Sequence, residues 1–228
     1  KRRGFVTWPD IFVIRGDKDE PAKLTVKLEP LPPNTDRIED EPIPNGLDDR
    51  PKGQEEARRI ASLFDSDYAE VRGTLMHSPD PTLRSFLIHQ LASSDVDSQS
   101  LIKRLTEEKE VSVRRALILA LGEYADDALT PQQKADAVSQ LMEWYQHDGD
   151  SGIHSCCEWV LRQWGHGEKL GRIDGELSTG VIEGKRRWFL NRLGMTFAVL
   201  EMADGHMFAI GTKEVTVEEF LTFEADNF

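Results

Sequence analysis

The sequence predicts a mainly α protein, in which a short α-solenoid is flanked by small β-rich segments. The main observation is a set of three similar stretches, Asp80–Leu91, Glu110–Leu121 and Asp150–Leu161. Each begins with an acidic residue, has an aliphatic residue three places later followed by a basic or imidazole side chain, and ends on Leu. Self-similar helices roughly 30–40 residues apart are typical of helical solenoids. The second observation is a set of short apolar runs near both ends of the chain, together with one alternating run near the start, which predicts strands there.

Composition restricts the classes of partner. The 228 residues are enough for one large domain or two small ones. The net charge of −13 and the pI near 4.9 disfavour nucleic acid and anionic membrane surfaces, which need clustered Lys and Arg. No apolar run reaches the roughly 18 residues that a membrane-spanning helix needs, so we expect no membrane insertion. We expect a protein partner, and composition leaves the oligomeric state open.

The first 52 residues divide into a β-rich segment and a linker. Within residues 1–30, the apolar run Ile11–Ile14 and the alternating run Leu24–Leu28 predict strands. Two or three strands do not form a stable sheet alone, so we interpret them as the remnant of a sandwich-like domain that begins upstream. Residues 31–52 have five prolines among acidic residues. They predict a linker, because proline fixes φ and removes backbone donors.

Residues 53–166 are predicted to be helical. Asp80 and Thr130 each precede a proline, which places an N-cap residue before a proline in the first helical turn. Ser151 is the expected cap of the last helix, and Gly165 stands at its expected end. The candidate helices lie near 54–64, 67–77, 81–93, 97–107, 111–124, 131–146 and 152–164.

The C-terminal part is predicted to hold a second linker and a small sheet. Residues 167–185 are rich in Gly and charge, which indicates a linker. Within residues 186–228, three apolar runs predict strands at 188–191, 194–200 and 208–216. A helix is expected from Val217, with Thr216 as its cap.

The pairing of a less regular first helix with an acid-capped second helix resembles HEAT-like repeats. In that resemblance Arg84 and Arg114 hold the usual arginine place, where the third copy has His154 instead. The resemblance implies protein binding through the helices, and the candidate binding residues are Arg84, Arg114, Trp144 and Trp159. Two alternatives stay open. The arginines could instead stabilise the repeats internally, and the tryptophans could be core or end-cap packing.

The two cysteines, Cys156 and Cys157, are adjacent and predict no disulfide framework. They fit a reducing compartment, which favours the cytoplasm while leaving the location open. Cys156 falls at the inward repeat position that takes a small residue. His154 and Cys157 share a helical face, but two ligands make an incomplete metal site, and no base is evident for a nucleophilic thiol. We therefore expect no metal site and no catalytic residue in this chain.

Two pairs of adjacent acidic residues are further candidates for acid–base chemistry. Glu107-Glu108 and Asp126-Asp127 are such pairs. Neighbouring side chains on a helix point apart, so these pairs make poor catalytic dyads. We interpret them as a solvated face or a loop.

Three stretches after Arg187 carry a family resemblance: Trp188–Asn191, Gly194–Phe197 and Phe208–Thr216, together with Phe220. They resemble the opening of the formylglycine-generating enzyme (sulfatase-modifying factor) family. The order of helices followed by this opening also resembles planctomycete-type bacterial multidomain proteins. The resemblance implies structural roles for Trp188, Asn191, Glu214, Val215, Thr216 and Phe220.

The family's catalytic cysteine pair and calcium-ligand positions lie beyond the matched residues. Calcium or copper would therefore require a complete family domain, and we expect no cofactor in this chain. The expected function is a non-catalytic interaction or scaffold region of a larger bacterial multidomain protein, which binds protein partners through its helical repeats. The alternative is part of a formylglycine-generating oxidoreductase whose catalytic residues lie outside this chain.

Overall fold

The computed structural model describes residues 50–125, 127–202, 205–217 and 221. The strands predicted in residues 1–30 and nearly all of the linker predicted at 31–52 lie outside these residues. The described part has eight α-helices and one three-stranded antiparallel sheet. The prediction of a mainly α protein with a small β-rich segment is confirmed for this part of the chain.

Seven helices lie within a few residues of the predicted ones, and an eighth follows them. Locally encoded caps and apolar spacing explain this agreement, because both act within single turns. In chain order the helices are α1 Arg50–Ala61, α2 Tyr68–Leu75, α3 Thr82–Leu91, α4 Ser98–Glu107, α5 Val111–Gly122, α6 Pro131–His147, α7 Ser151–Gln163 and α8 Gly167–Leu177.

In the second and third similar stretches the opening acid caps the helix that follows it. Glu110 accepts a hydrogen bond from the Val113 N–H at 2.7 Å, and Asp150 accepts one from the Ile153 N–H at 2.9 Å. In the first stretch the N-cap of α3 is Pro81, so the prediction of Asp80 as the cap is wrong, although its carboxylate accepts from the Thr82 N–H at 2.9 Å. Each bond satisfies a backbone donor that the first helical turn leaves without a partner. Asp150 is therefore the cap of α7, and the prediction of Ser151 in that role is wrong.

Alternate helices contact one another and form what we call the helical row, which consists of α1, α3, α5 and α7. Helix α3 contacts α1 and α5, and α5 contacts α7. Helices α2, α4 and α6 each pack against the row helix that follows them. The leucines that end the three similar stretches, Leu91, Leu121 and Leu161, are all buried in the shared core.

The position predicted to hold a small residue is occupied by a phenylalanine in the first of the similar stretches. Phe86 stands where the other copies have Ala116 and Cys156. Its ring lies against Gly53 of α1, where a Cβ would come within 2.8 Å of the ring. The glycine thus provides the space that a small residue provides in the other two copies.

Helix α8 occupies much of the segment predicted to be a linker. Its glycines lower helix propensity by about 1 kcal/mol each. Leu170 and Ile173 are buried on one face of the helix, whereas Gly171 and Gly175 are exposed. Tertiary burial therefore stabilises a helix that local propensity disfavours.

The sheet consists of β1 Trp188–Leu190, β2 Thr196–Glu201 and β3 Met207–Gly211, in that order. Trp188 pairs with Ala198, which pairs with Ile210 on the next strand. The third strand is shorter than predicted. Of the helix expected from Val217, only Val217 and Leu221 are described. Among the described residues, no helix combines the length and apolar content required to cross a membrane.

Candidate functional site

The fifth residue of each similar stretch bonds its own helical unit to the next unit. In the first copy this residue is Arg84. Its Nε donates to the carbonyl of Leu75 at the end of α2, at 2.8 Å. One of its terminal nitrogens donates to the carbonyl of Ser112 in the first turn of α5, at 2.9 Å. Burial lowers the pKa of this guanidinium. Arg84 therefore connects three helices through two carbonyl groups.

The second copy uses two neighbouring arginines for the same purpose. Arg114 forms an ion pair with Asp148, between α6 and α7, at 3.0 Å, and its guanidinium lies over the Trp144 ring, 4.9 Å from the centroid. Arg115 binds both carboxylate oxygens of Asp150, with a Nε–Oδ1 distance of 2.8 Å. Because Asp150 also caps α7, these contacts fix the start of the third copy against α5.

The third copy has His154 in this place and bonds to the sheet. The Nδ1 atom lies 2.8 Å from the carbonyl oxygen of Tyr145, at the same nine-residue separation as Arg84 and Leu75. A carbonyl oxygen only accepts, so Nδ1 carries the proton. Nε2 lies 3.3 Å from the Thr196 hydroxyl of β2 and accepts from it. The imidazole thus bonds back to α6 and forward to the sheet.

Aromatic rings enclose this imidazole on both faces. The Tyr145 ring lies 4.2 Å from it and the Trp188 ring lies 3.8 Å from it, measured between centroids. The Trp188 Nε1–H donates to the carbonyl of Asp148 at 2.8 Å. We call Tyr145, His154, Trp188 and Thr196 the junction. His154 is 0% exposed, and burial lowers its pKa to about 4.

Charged groups surround the junction on α7, on α8 and beyond β3. Glu158 binds Lys213 Nζ at 2.5 Å and Arg162 Nε at 2.8 Å. Burial raises the pKa of Glu158, but these two cations outweigh it and leave the pKa below its ordinary value. Asp174 of α8 accepts a hydrogen bond from the Tyr145 hydroxyl, and burial is the main cause that raises the pKa of both groups. Lys213 therefore anchors the end of β3 to α7.

The junction is chemically suited to fixing elements in place. Both nitrogens of His154 are engaged by protein groups, and the ring is enclosed, so a substrate has no access to it. Burial raises the pKa of the Cys156 thiol to about 11 and that of Cys157 well above its ordinary value. Neutral buried thiols are poor nucleophiles. Within the described ranges, no three His, Cys, Asp or Glu side chains gather as a metal site.

The carboxylates predicted to be solvated behave differently from one another. Glu107 is exposed, whereas the Glu108 side chain is only 6% exposed and pairs with Arg72 at 2.8 Å. Glu108 lies in the loop after α4, as one of the two interpretations predicts, but its carboxylate is not solvated and joins α4 to α2. Asp127 is exposed, and Asp126 lies outside the described residues.

The four predicted binding residues are not assembled into one site. Arg84 and Arg114 bind protein groups as described above. Trp159 packs against Gly122 of α5, where an added Cβ would come within 2.3 Å of the indole. Trp144 is half-buried beneath Arg114. Internal packing accounts for the contacts of these side chains, and their part in binding stays a prediction.

The residues assigned by the family resemblance differ in their surroundings. Trp188 is buried in the junction. The Asn191 side-chain oxygen accepts from the N–H groups of Leu193 and Met195, both at 2.9 Å, and so fixes the turn between β1 and β2. Glu214, Val215 and Thr216 are exposed, and Phe220 lies outside the described residues.

Exposed apolar side chains gather in the C-terminal part, a feature that sequence reasoning missed. Before Val181, Met76 at the end of α2 is the only exposed large apolar residue among those that the structure describes. The signal was the uncharged run at Met207–Gly211, but the sequence did not show which strand forms the edge of the sheet. The other exposed large apolar residues are Val181, Ile182, Leu200, Met202, Met207, Ile210, Val215, Val217 and Leu221.

Comparisons with known proteins gave no relatives. No family model matches the chain, and no significant match was found among curated proteins or among solved structures. Both family resemblances therefore stay predictions, and the functional argument depends on the geometry of the chain itself.

Proposed function

We propose that this chain is a non-catalytic interaction and scaffold region, built on HEAT-like helical repeats, that binds a protein partner. The observation that carries the proposal is the role shared by Arg84, Arg114 and His154. Each occupies the same place in its stretch, and each bonds to an element of the next unit. Such bonds hold each unit in position against the next one, as a scaffold built from successive units requires.

The charge distribution supports a protein partner. The net charge of −13 provides a field that attracts basic surfaces and repels polyanions. The exposed apolar residues near the sheet add a surface whose burial against a partner would be favourable. Together these features favour a protein that presents both apolar and basic side chains.

The test is affinity capture with the complete chain. The immobilised chain is incubated with lysate of the source cells, and a helical protein of similar size and pI serves as the control. We expect one protein to be recovered on this chain and not on the control. Added free chain should reduce its recovery, and the purified protein should bind this chain with a Kd below about 10 µM. Equal recovery on the control protein would refute the proposal.

A second candidate is that the chain forms part of a formylglycine-generating oxidoreductase. Two residues of the family resemblance favour this candidate. Trp188 is buried at the start of β1, and Asn191 fixes the turn that follows β1. Mass spectrometry of a cysteine-containing substrate peptide tests this candidate. Conversion of cysteine to formylglycine by a longer protein that contains this chain would support it, and an unchanged peptide mass with that longer protein would count against it.

A further inference from the structure

The outer edge of β3 has backbone groups available for pairing. The Thr212 N–H donates to the Thr196 carbonyl, and the Met202 N–H donates to the His206 carbonyl. Bonded pairs alternate along an antiparallel ladder, so Phe208 and Ile210 direct their backbone groups to β2. Met207, Ala209 and Gly211 direct theirs to the opposite side. No other described residue bonds to that side of the strand.

The side chains beside this edge are apolar on both faces of the sheet. Ile210 and Leu200 lie on the face that includes Trp188 and are 48% and 44% exposed. Met207 lies on the other face and is 53% exposed. The five residues of β3 include no charge and no proline. Natural edge strands usually carry a charged residue or a proline that prevents pairing with another strand. β3 has neither.

Carboxylates flank the edge at both ends. Glu201 pairs with Met207 at the start of β3 and is exposed. Glu214 is exposed shortly after the end of the strand. A second copy of the chain would place these carboxylates and a further net charge of −13 against the first copy. Charge complementarity therefore favours a basic partner over self-association.

We propose that the outer edge of β3 binds an extended segment of a protein partner, apolar at alternate positions and flanked by Lys or Arg. The segment adds a fourth strand to the sheet, with backbone hydrogen bonds to Met207, Ala209 and Gly211. Its apolar side chains pack beside Ile210 and Met207, and its basic residues pair with Glu201 and Glu214. This inference rests on the proposed function and names the surface and the partner chemistry for it.

The edge is held in a fixed position, which lowers the entropic cost of binding. Lys213 follows β3 and binds Glu158 of α7. The Thr212 hydroxyl donates to the Thr196 carbonyl at 3.2 Å. β3 is therefore already extended and paired with β2 before a segment binds.

The probe is a synthetic peptide that alternates Val and Thr and carries two Lys at each end. Binding to the complete chain is measured by fluorescence anisotropy, with a peptide that has Glu in place of Lys as the charge control. We expect the Lys peptide to bind with a Kd on the order of 10 µM and the Glu peptide at least about tenfold more weakly. Raising the salt concentration should weaken the binding of the Lys peptide, because its flanking ion pairs are exposed to solvent.

Two variants at one position separate strand pairing from nonspecific attraction. Ala209→Pro removes an outward N–H and blocks the approach of a strand, and proline is tolerated at an edge where the N–H faces solvent. Ala209→Val keeps the N–H and is the matched control. We expect at least about tenfold weaker peptide binding for Ala209→Pro and no loss for Ala209→Val. Equal urea midpoints for the two variants exclude unfolding as the cause.

Three results of the peptide and sedimentation measurements would overturn the inference. They are no peptide binding by the wild-type chain, equal binding by Ala209→Pro, and a micromolar dimer in sedimentation that Ala209→Pro abolishes. Capture of the same lysate protein by Ala209→Pro and by wild type would also overturn it, while leaving the proposed scaffold function standing. If neither wild type nor Ala209→Pro recovers any protein beyond what the control protein recovers, the scaffold function itself is refuted.

Discussion

The imidazole of His154 and the indole of Trp188 stack with their centroids 3.8 Å apart and their planes inclined by 25°. His154 belongs to α7, and Trp188 begins β1, so this contact joins the helical row to the sheet. The equivalent place in the earlier copies holds an arginine that bonds to the next helical unit. A flat neutral ring suits the third copy because its neighbour is an aromatic side chain on a strand.

Removing the indole should uncouple the sheet from the helices. We expect Trp188→Ala to lower the free energy of unfolding by about 3–5 kcal/mol, because it leaves a cavity beside a buried imidazole. Phe189→Ala is the matched control, since Phe189 is half-buried on the opposite face of β1. Urea unfolding should show less than half the loss for Phe189→Ala. Equal losses would mean that the junction contributes nothing beyond ordinary burial.

Acid should destabilise the protein through His154. Its pKa is about 4 in the folded chain, compared with the ordinary value of 6.5. As pH falls below 6.5, the unfolded chain binds a proton that the folded chain does not bind until pH is near 4. Stability contributed by the neutral ring is therefore lost over that window, by an amount on the order of 3 kcal/mol.

The comparison for this prediction is His154→Asn, whose amide can donate to the Tyr145 carbonyl and does not titrate. Urea midpoints from pH 7 to pH 4 should fall more steeply for wild type than for the variant. The charged groups that influence the ring, Glu158, Lys213 and Arg186, are present in both proteins. Parallel curves for the two proteins would contradict the assignment of the acid sensitivity to His154.

Arg84 should contribute to stability through the two carbonyl groups that it binds. Arg84→Met keeps the apolar length of the side chain and leaves the carbonyls of Leu75 and Ser112 without this donor. We expect a loss of about 1–3 kcal/mol in thermal or urea unfolding. Arg58→Met is the control, because Arg58 is exposed on α1 and the substitution makes the same change in charge. A loss for Arg58→Met as large as that for Arg84→Met would refute this role.

Two glycines in helices should respond in opposite directions to alanine. A Cβ at Gly122 would lie 2.3 Å from the Trp159 ring, whereas a Cβ at Gly73 would have no neighbour within 4 Å. We expect Gly122→Ala to cost about 1–3 kcal/mol through overpacking. Gly73→Ala should gain about 0.5–1 kcal/mol from the lower entropy of the unfolded chain. Calorimetric melting of both variants checks the sign, and a neutral Gly122→Ala would show that α5 and α7 are not in close contact there.

The first seven helices were predictable because caps and apolar spacing are local signals. Thr130, for example, caps α6 and Pro131 stands in its first turn, as the sequence indicates. Helix α8 was missed because its stability depends on burial of Leu170 and Ile173, which glycine-rich propensity does not reveal. The spacing of those two residues was the only available signal.

The junction could not be predicted because its members are far apart in the chain. The sequence showed that His154 departs from the arginine of the other copies. It did not show that Trp188, well beyond the helices, supplies the stacking partner. The predicted inward role of Cys156 agrees with its packing against the core, although the neighbouring Cys157 is the more deeply buried thiol.

Native-state hydrogen exchange of wild type and His154→Ala tests most directly whether the helical row and the sheet form one unit. The Val199 amide is a suitable probe, because it lies in β2 and donates to the Arg187 carbonyl at 2.8 Å. We predict that a substitution on α7 lowers the opening free energy of Val199 as much as that of the α7 amides. Unchanged protection at Val199, with protection lost only in α7, would contradict the account.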